Sequence, residues 1–240
     1  MSTHVVAMGG GGFSMSDDGR ATALDRFLID LTGKDRPTVC FAPTASRDEE
    51  SFIELFRSAY GALGVRTTVL MLWEDAARSV EQLHEADLVV VGGGSSVNLM
   101  ALWDAHGVSE LLRARAGAGE VVLSGISAGG NCWFQGCVTT SFGPMRPWVG
   151  GLGLVAGSFC PHYDTEEMRE PTFRAAVAEG ILPSGYGCDE GAAVHFIDGR
   201  FHQALAERPG ARTQRLSADQ DHPDTVVADL LPATRLTPGR

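Results

Sequence analysis

The sequence has little positive charge and no long apolar run. Its 240 residues include 19 Lys and Arg against 30 Asp and Glu, a formal net charge of −11. This charge repels nucleic acids and anionic lipid surfaces, so we expect neither as a partner. No stretch approaches the roughly 18 apolar residues of a membrane helix, and the first eight residues lack the features of a signal peptide. We therefore expect a cytoplasmic protein.

Paired cysteines are also missing. The five cysteines are an odd number without a C-x-x-C pair, which argues against a zinc or redox site. We expect them to be small buried hydrophobic residues, and we expect neither a metal nor a cofactor. A further absence concerns carboxylates, because no Asp or Glu occurs from Ala128 to Tyr163.

The residues that are present predict a single α/β domain. Val-rich apolar runs alternate with segments of helical spacing, which indicates a doubly wound, mostly parallel sheet with helices on both faces, a three-layer α/β/α sandwich. The predicted strands are His4–Met8, Thr38–Ala42, Arg66–Leu72, Ala86–Val91 and Glu120–Ser124, and the clearest helices are Ala21–Leu31 and Glu49–Leu63. Functional residues of such sheets collect at the carboxyl ends of the strands.

The pattern changes after about residue 140. A Gly-rich, irregular segment is followed by a predicted strand, a helix and a strand pair joined by an Asp198-Gly199 hairpin turn. The predicted bounds are Gly143–Gly157, Ser158–His162, Glu166–Ala178, Ala192–Ile197 and Phe201–Ala206. We predict that residues 1–208 form the domain and that residues 209–240 form an extended or partly disordered tail.

A buried strand runs directly into the pattern G-x-S-x-G around Ser127, followed by a segment that can be helical. This is the arrangement of a nucleophile elbow, a turn so tight that the flanking residues must be small. Gly125 and Gly129 meet that requirement. The alternative is a plain strand-to-helix turn without catalytic function.

A second Gly-rich turn, Gly92–Gly94, opens a helix near Asn98. It could bind a phosphate, supply a backbone N–H to an oxyanion beside the serine, or serve only as a turn. Nucleotide binding is disfavoured because neither this turn nor Gly9–Gly12 continues into G-x-G-x-x-G.

A serine nucleophile needs a base and an orienting acid. Among seven histidines, His162 ends a predicted strand at the sheet edge that carries Ser127, whereas a buried structural histidine is the alternative. The carboxylate gap means that the acid comes from outside residues 128–163. Glu190 is our first choice, and Asp164 and Asp189 are the rivals.

These motifs, in this order, resemble peptidase family S51, which contains the aspartyl dipeptidases called peptidase E and the cyanophycinases. The resemblance spans about residues 4 to 206 and rests on Gly92–Gly94, Gly125–Asn131, Pro161-His162 and Glu190-Gly191. It implies a class I glutamine amidotransferase-like fold with serine as the nucleophile. It also implies that Ser127 is the nucleophile and His162 the base, and that Ala128 with Gly93 and Gly94 forms the oxyanion hole.

The resemblance extends to substrate binding. Aspartyl dipeptidases carry an Asp after a Thr-Thr pair, but Thr139-Thr140 is followed here by Ser141. The segment around Arg169 resembles the one that supplies an arginine to the substrate's aspartate, and Asn98 is a further candidate for substrate binding. A homodimer is also implied.

The sequence therefore predicts a cofactor-independent serine peptidase of short peptides, with dipeptides bearing an N-terminal Asp as candidate substrates. Two other classes stay open. One is an amidotransferase-like scaffold that binds a small molecule or protein without hydrolysing it. The other is an α/β-hydrolase esterase with a later histidine, His195, His202 or His222, as its base.

Overall fold

The computed structural model describes residues 2–219, 221–222 and 225–237. Its helices are α1 (Ala23–Leu31), α2 (Glu50–Gly61), α3 (Ala76–Leu83), α4 (Ser96–Ala105), α5 (Val108–Gly117), α6 (Ala128–Asn131) and α7 (Arg169–Ala178). Its strands are β1 (His4–Met8), β2 (Thr38–Ala42), β3 (Arg66–Val69), β4 (Leu88–Val91), β5 (Val122–Ile126), β6 (Phe134–Thr139), β7 (Arg146–Val149), β8 (Val155–Cys160), β9 (Gly185–Cys188), β10 (Ala192–Ile197), β11 (Arg200–Ala206), β12 (Thr213–Ala218), β13 (Val226–Leu231) and β14 (Ala233–Arg235).

The larger sheet has eight strands in the order β14-β11-β10-β1-β5-β4-β2-β3. The run from β1 to β3 is parallel, whereas β10 and β11 form the predicted hairpin beside β1. Asp198 and Gly199 join the hairpin at φ values of 51° and 71°, as a two-residue turn of left-handed residues requires. The predicted α/β fold with a mostly parallel, doubly wound sheet is confirmed.

Alternate residues of each strand point to opposite faces of this sheet, and both faces are buried. Val5 and Ala7 of β1 belong to one apolar core, which also contains Trp103 of α4. Val6 and Met8 belong to the core on the other side, where α1 and α2 pack. The layers therefore run helix, sheet, helix as predicted.

A second sheet was not predicted. It has six strands in the order β13-β12-β9-β8-β6-β7. Phe134 and Phe159 from one face stack at 5.1 Å between ring centroids and share the core of Val5 and Ala7. The other face packs against α7 through Val138 and Phe173. Glycines and a proline interrupt its strands, so the apolar runs are short.

The predicted tail from residue 209 needs a correction. The described residues of this segment form strands that pair with both sheets, β12 with β9 and β14 with β11. Burial of Thr213 and Leu216 anchors β12 in the second sheet. Residues 220, 223–224 and 238–240 of the predicted tail lie outside the described residues. None of the described helices combines the length and apolar character that crossing a membrane requires.

Candidate active site

Ser127 lies at the sharp turn between β5 and α6, at φ 55° and ψ −114°. Such a backbone conformation is strained for a residue with a side chain and persists only where its surroundings enforce it. A Cβ at Gly125 would lie 2.0 Å from the Gly129 carbonyl oxygen, and one at Gly129 would lie 2.2 Å from the Val91 carbonyl oxygen. The turn therefore has the tightness of a nucleophile elbow, and the two glycines are required by space.

The Gly-rich turn after β4 approaches the serine. A Cβ at Gly93 would lie 3.4 Å from Ser127 Cβ, whereas one at Gly94 would collide with the Ala45 carbonyl oxygen at 2.2 Å. Within the described residues, the backbone N–H groups of Gly93 and Ala128 donate to no other group. Free N–H groups beside a nucleophile can stabilise an oxyanion.

His162 is brought to the serine by the end of β1. The Ser127 N–H donates to the Met8 carbonyl at 3.1 Å, and the His162 N–H donates to the next carbonyl, that of Gly9, at 2.9 Å. Strand β8 ends at Cys160, two residues earlier than predicted, so His162 lies in the following loop at φ 51°. A Cβ at Gly10 would lie 2.9 Å from Glu190 Cγ and 3.1 Å from His162 Cε1, so a larger residue there would press on both side chains.

Glu190 contacts the histidine. His162 Nδ1 lies 2.9 Å from Glu190 Oε1, and the two side chains are 17% and 22% exposed. The Thr165 hydroxyl donates to the same oxygen at 2.9 Å. Because a carboxylate oxygen accepts from Nδ1, the proton of a neutral ring sits on Nδ1 and the lone pair on Nε2. The imidazole is therefore prepared to act as a base through Nε2.

The two rival carboxylates have other contacts. Asp164 accepts from the Glu190 N–H at 2.9 Å and forms an ion pair with Arg208, whose Nε–H donates to the Glu190 carbonyl at 2.9 Å. Asp189 is buried and accepts from the Arg212 N–H at 2.9 Å. Burial raises the pKa of Asp189. Neither carboxylate is the partner of His162, but Asp164 and Arg208 hold the backbone that carries Glu190.

The later histidines are not partners of the serine loop. His195 is 2% exposed in the middle of β10, and its Nε2 lies 2.9 Å from His4 Nδ1. Burial, followed by the nearby His4 and His202, lowers the pKa of His195 to about 4. His222 contacts Asp219 in an exposed turn. The ring centroid of His202, on β11, lies 5.2 Å from that of His195. Among the described residues, no hydrogen bond joins any of these three histidines to the serine loop, so none of them is placed to serve as the base of an esterase.

The candidate substrate residues are placed differently from one another. Asn98 is exposed in the first turn of α4, where its N–H donates to Ser95 Oγ at 3.2 Å. Ser141 bonds Thr139 Oγ1 at 2.8 Å and accepts from the Val97 N–H at 3.4 Å, so it joins the same helix start. Arg169 is 5% exposed and ion-paired with Glu166.

All five cysteines are buried and unpaired. Burial raises the pKa of Cys40 to about 11, which disfavours the reactive thiolate. In the part of the chain that the structure describes, no group of three or more His, Cys, Asp or Glu side chains is arranged to hold a metal ion.

Sequence reasoning missed Thr165, Arg208 and the contact of Gly10 with the histidine ring. The run Gly9–Gly12 could have indicated the contact of Gly10, because a glycine run directly after a buried strand lies at the edge of the sheet where functional residues collect. No local signal marks Arg208, which lies 44 residues from Asp164 along the chain.

Comparison with known proteins places the chain among peptidases. The model of peptidase family S51 matches residues 5–204. The uncharacterised peptidase YgaJ of Bacillus subtilis (strain 168) is 40% identical over 214 residues, which cover 89% of this chain and 91% of that protein. Peptidase E of Pasteurella multocida (strain Pm70) is 26% identical, covering 77% and 80%. A crystal structure of a peptidase from an acI-B1 actinobacterium has the same fold, with a TM-score of 0.68 at 18% identity over 97% of this chain and 95% of that one.

Proposed function

Because this chain belongs to peptidase family S51, and is thus a peptidase, we propose that it is a serine peptidase that hydrolyses short peptides through Ser127, His162 and Glu190. One observation carries the proposal. The strained Ser127 and His162 are held side by side, because their N–H groups donate to the consecutive carbonyls of Met8 and Gly9, and His162 is bonded to Glu190 at 2.9 Å.

The chemistry follows from the free atoms of these groups. His162 Nε2 takes the proton of Ser127 Oγ as that oxygen attacks the carbonyl carbon of the scissile peptide bond. Glu190 holds the ring in the required tautomer and stabilises the imidazolium that forms. The proton then passes to the leaving amine as the C–N bond breaks. In the second half, water attacks the acyl-enzyme and gives its proton to His162 Nε2, which returns it to Ser127 Oγ as the ester C–O bond breaks and the acid product leaves.

The developing negative charge of the carbonyl oxygen requires donors that are already in place. We assign this role to the N–H groups of Ala128 and Gly93, because both are free and both flank Ser127. Gly94 supports the turn through its positive φ of 138°. The oxyanion position therefore lies between the elbow and the turn after β4.

Ser127→Ala tests the mechanism. The variant should keep the fold, measured by circular dichroism, and lose roughly 10³-fold or more of dipeptide turnover, because the acyl-enzyme cannot form. Turnover within a few fold of wild type would refute the serine mechanism. A fluorophosphonate should label wild type stoichiometrically at Ser127, and a protein that is never labelled would be the non-hydrolytic scaffold instead.

Preference for an N-terminal Asp rests on Arg169, and a homodimer rests on the family resemblance; both stay predictions. The first is tested by a dipeptide panel and the second by the mass of the protein in solution.

A further inference from the structure

The two N–H groups assigned to the oxyanion belong to segments that leave neighbouring strands. Gly93 lies in the turn after β4, and Ala128 is the first residue of α6, after β5. The two strands pair in parallel, with Val91 opposite Gly125. A Cβ at Gly129 would lie 2.2 Å from the Val91 carbonyl oxygen, so α6 starts in close contact with the end of β4. The separation of the two N–H groups therefore depends on how both segments are held beyond the strand ends.

One side-chain hydrogen bond joins the two segments again. Asn131 Nδ2–H donates to Ser96 Oγ at 3.1 Å. Ser96 begins α4, three residues after Gly93, and Asn131 ends α6, three residues after Ala128. Within the described residues, no other hydrogen bond connects α4 and the turn before it with the elbow and α6. The two segments are therefore fixed to each other twice, by strand pairing before the donors and by this bond after them.

Asn131 is also bonded to the nucleophile's own residue. Its backbone N–H donates to the Ser127 carbonyl at 3.0 Å, so a displacement of Asn131 is passed to the elbow. Ser96 and Asn131 are 1% and 3% exposed, and solvent therefore has little access to their bond. Asn131 Oδ1 has no hydrogen-bond partner among the described residues. Burying an unpaired amide oxygen costs stability, and an apolar side chain of similar size would avoid that cost. What the amide positions therefore explains its presence better than the stability it adds.

We propose that Asn131 is a positioning residue that, through Ser96, holds the N–H groups of Gly93 and Ala128 at the separation that the oxyanion of acyl transfer requires. It acts through these two donors and not through the imidazole of His162. The proposal rests on the proposed serine peptidase function, whose own test is Ser127→Ala.

Ser96→Ala and Ser109→Ala make the same chemical change at opposite ends of α4. Both serines are 1% exposed, and Ser109 Oγ donates to Asp104 Oδ1 at 2.5 Å in the last turn of that helix, about 15 Å along its axis from Ser96. Ser96→Ala should lower kcat for a dipeptide by about 10- to 100-fold and leave KM within about twofold, because a displaced oxyanion donor weakens only the transition state. Ser109→Ala is the matched control and should keep kcat within about twofold of wild type.

The rate of fluorophosphonate labelling gives a second measurement, because the phosphoryl oxygen takes the oxyanion position as Ser127 attacks. This rate should fall in Ser96→Ala by about the same factor as kcat. The pH midpoint of kcat/KM should stay at the wild-type value, since the pair of His162 and Glu190 is unchanged.

Asn131→Leu separates positioning from stability. It keeps the approximate size of the side chain and removes the donor, so its kcat should fall as in Ser96→Ala. The double variant Asn131→Leu/Ser96→Ala leaves neither partner unpaired, so its free energy of unfolding should recover toward that of wild type. Its kcat should stay as low as in the single variants, because the two segments are still unlinked. A bond that only stabilised the fold would restore kcat together with stability.

The proposal is overturned if Ser96→Ala and Asn131→Leu keep the wild-type kcat, if Ser109→Ala loses as much, if KM changes in place of kcat, or if the double variant regains activity. Loss of the fold in both single variants and the double variant, seen by circular dichroism, also overturns it, because the bond would then be structural. Wild type that neither cleaves dipeptides nor is labelled refutes the proposed function as well. Active, labelled wild type beside unchanged variants refutes this proposal alone.

Discussion

Two histidines in this molecule have hydrogen-bond partners at the same distance but of opposite chemical character. His162 lies 2.9 Å from the Glu190 carboxylate at the strand ends, and both side chains are partly exposed. His195 lies 2.9 Å from His4, in the core beside Phe27. The first ring is bonded to a carboxylate, whereas the second is bonded to another imidazole, which carries positive charge when protonated.

The difference teaches that a hydrogen-bonded histidine becomes a base through its partner and its access to solvent. Burial lowers the pKa of His195 to about 4, so this ring stays neutral at pH 7 and only packs. A carboxylate partner with a free Nε2 is the arrangement that general-base catalysis needs. Changes at each pair should therefore affect different properties of the protein.

The largest expected effect comes from removing His162, the proposed base. His162→Ala should lower kcat for a dipeptide substrate by roughly 10³-fold or more, because Ser127 loses its proton acceptor. His195→Gln should leave kcat within about threefold, since this site is distant from the serine loop. Steady-state kinetics of both purified variants would decide, and an equal loss in both would remove the functional distinction between the pairs.

The partner of the base gives the next effect. Glu190→Gln should lower kcat by roughly 10- to 10⁴-fold with the fold retained, because the ring loses its orienting charge while serine and oxyanion donors remain. Asp164→Asn should cost less, because Asp164 acts only through the Glu190 backbone. A crippled Asp164→Asn beside an active Glu190→Gln would transfer the role of the acid to Asp164.

The pH dependence of the free energy of unfolding tests the buried His195. Its folded pKa of about 4 lies below the ordinary 6.5, so the unfolded chain binds the extra proton as the pH falls. Between pH 7 and pH 5 the free energy of unfolding should drop by on the order of 2 kcal/mol through this group. Denaturant titrations at both pH values should show that His195→Gln lacks this part of the decrease.

The titration of Asp25 also contributes to the pH dependence of stability, so both proteins in that measurement must retain Asp25. Burial raises its pKa from 3.8 to about 6, so its contribution runs in the opposite direction and stability through this group falls as the pH rises from about 4 to 6. Because Asp25 is present in both proteins, the difference between wild type and His195→Gln isolates the histidine. An identical pH dependence of the two proteins would contradict the assignment.

The smallest effect belongs to Thr165. Its hydroxyl donates to Glu190 Oε1 at 2.9 Å, but Thr165 is exposed and water can replace the hydroxyl, so Thr165→Val should lower kcat/KM by less than about tenfold. Thr165→Ser keeps the hydroxyl and should restore most of the activity. If Thr165→Val and Thr165→Ser have the same kcat/KM, the hydroxyl does not position Glu190.

Local patterns predicted the first half of the fold well. Strand β2 and the strand of His4 matched their predicted bounds, because each is an apolar run bounded by turn residues and buried on both faces. The elbow at Ser127 was predicted from residues 121–130 alone, because the strand, the serine and the two glycines all lie in that segment. The pairing of His162 with Glu190 was predicted because both follow buried strands.

The second sheet could not be predicted in the same way. Gly136 and Pro147 interrupt β6 and β7, β12 is mostly polar, and Asp229 divides the short apolar run of β13, so none of these segments is a continuous apolar strand. Their stability comes from pairing with distant segments rather than from their own propensity. Arg208 was missed for the same reason, since its contacts with Asp164 and Glu190 arise only after the strands assemble.

Ser127 belongs to the eight-stranded sheet, whereas His162 and Glu190 follow strands β8 and β9 of the six-stranded sheet. The Met8 carbonyl accepts from the Ser127 N–H, and the next two carbonyls, those of Gly9 and Gly10, accept from the N–H groups of His162 and Gly191, so the end of β1 links the serine to the loops that carry His162 and Glu190. Any loosening of one sheet against the other would separate nucleophile from base while each sheet stays intact. Catalytic competence should consequently disappear at a lower denaturant concentration than the far-ultraviolet signal of the strands, so this site senses the docking of the two halves of the protein.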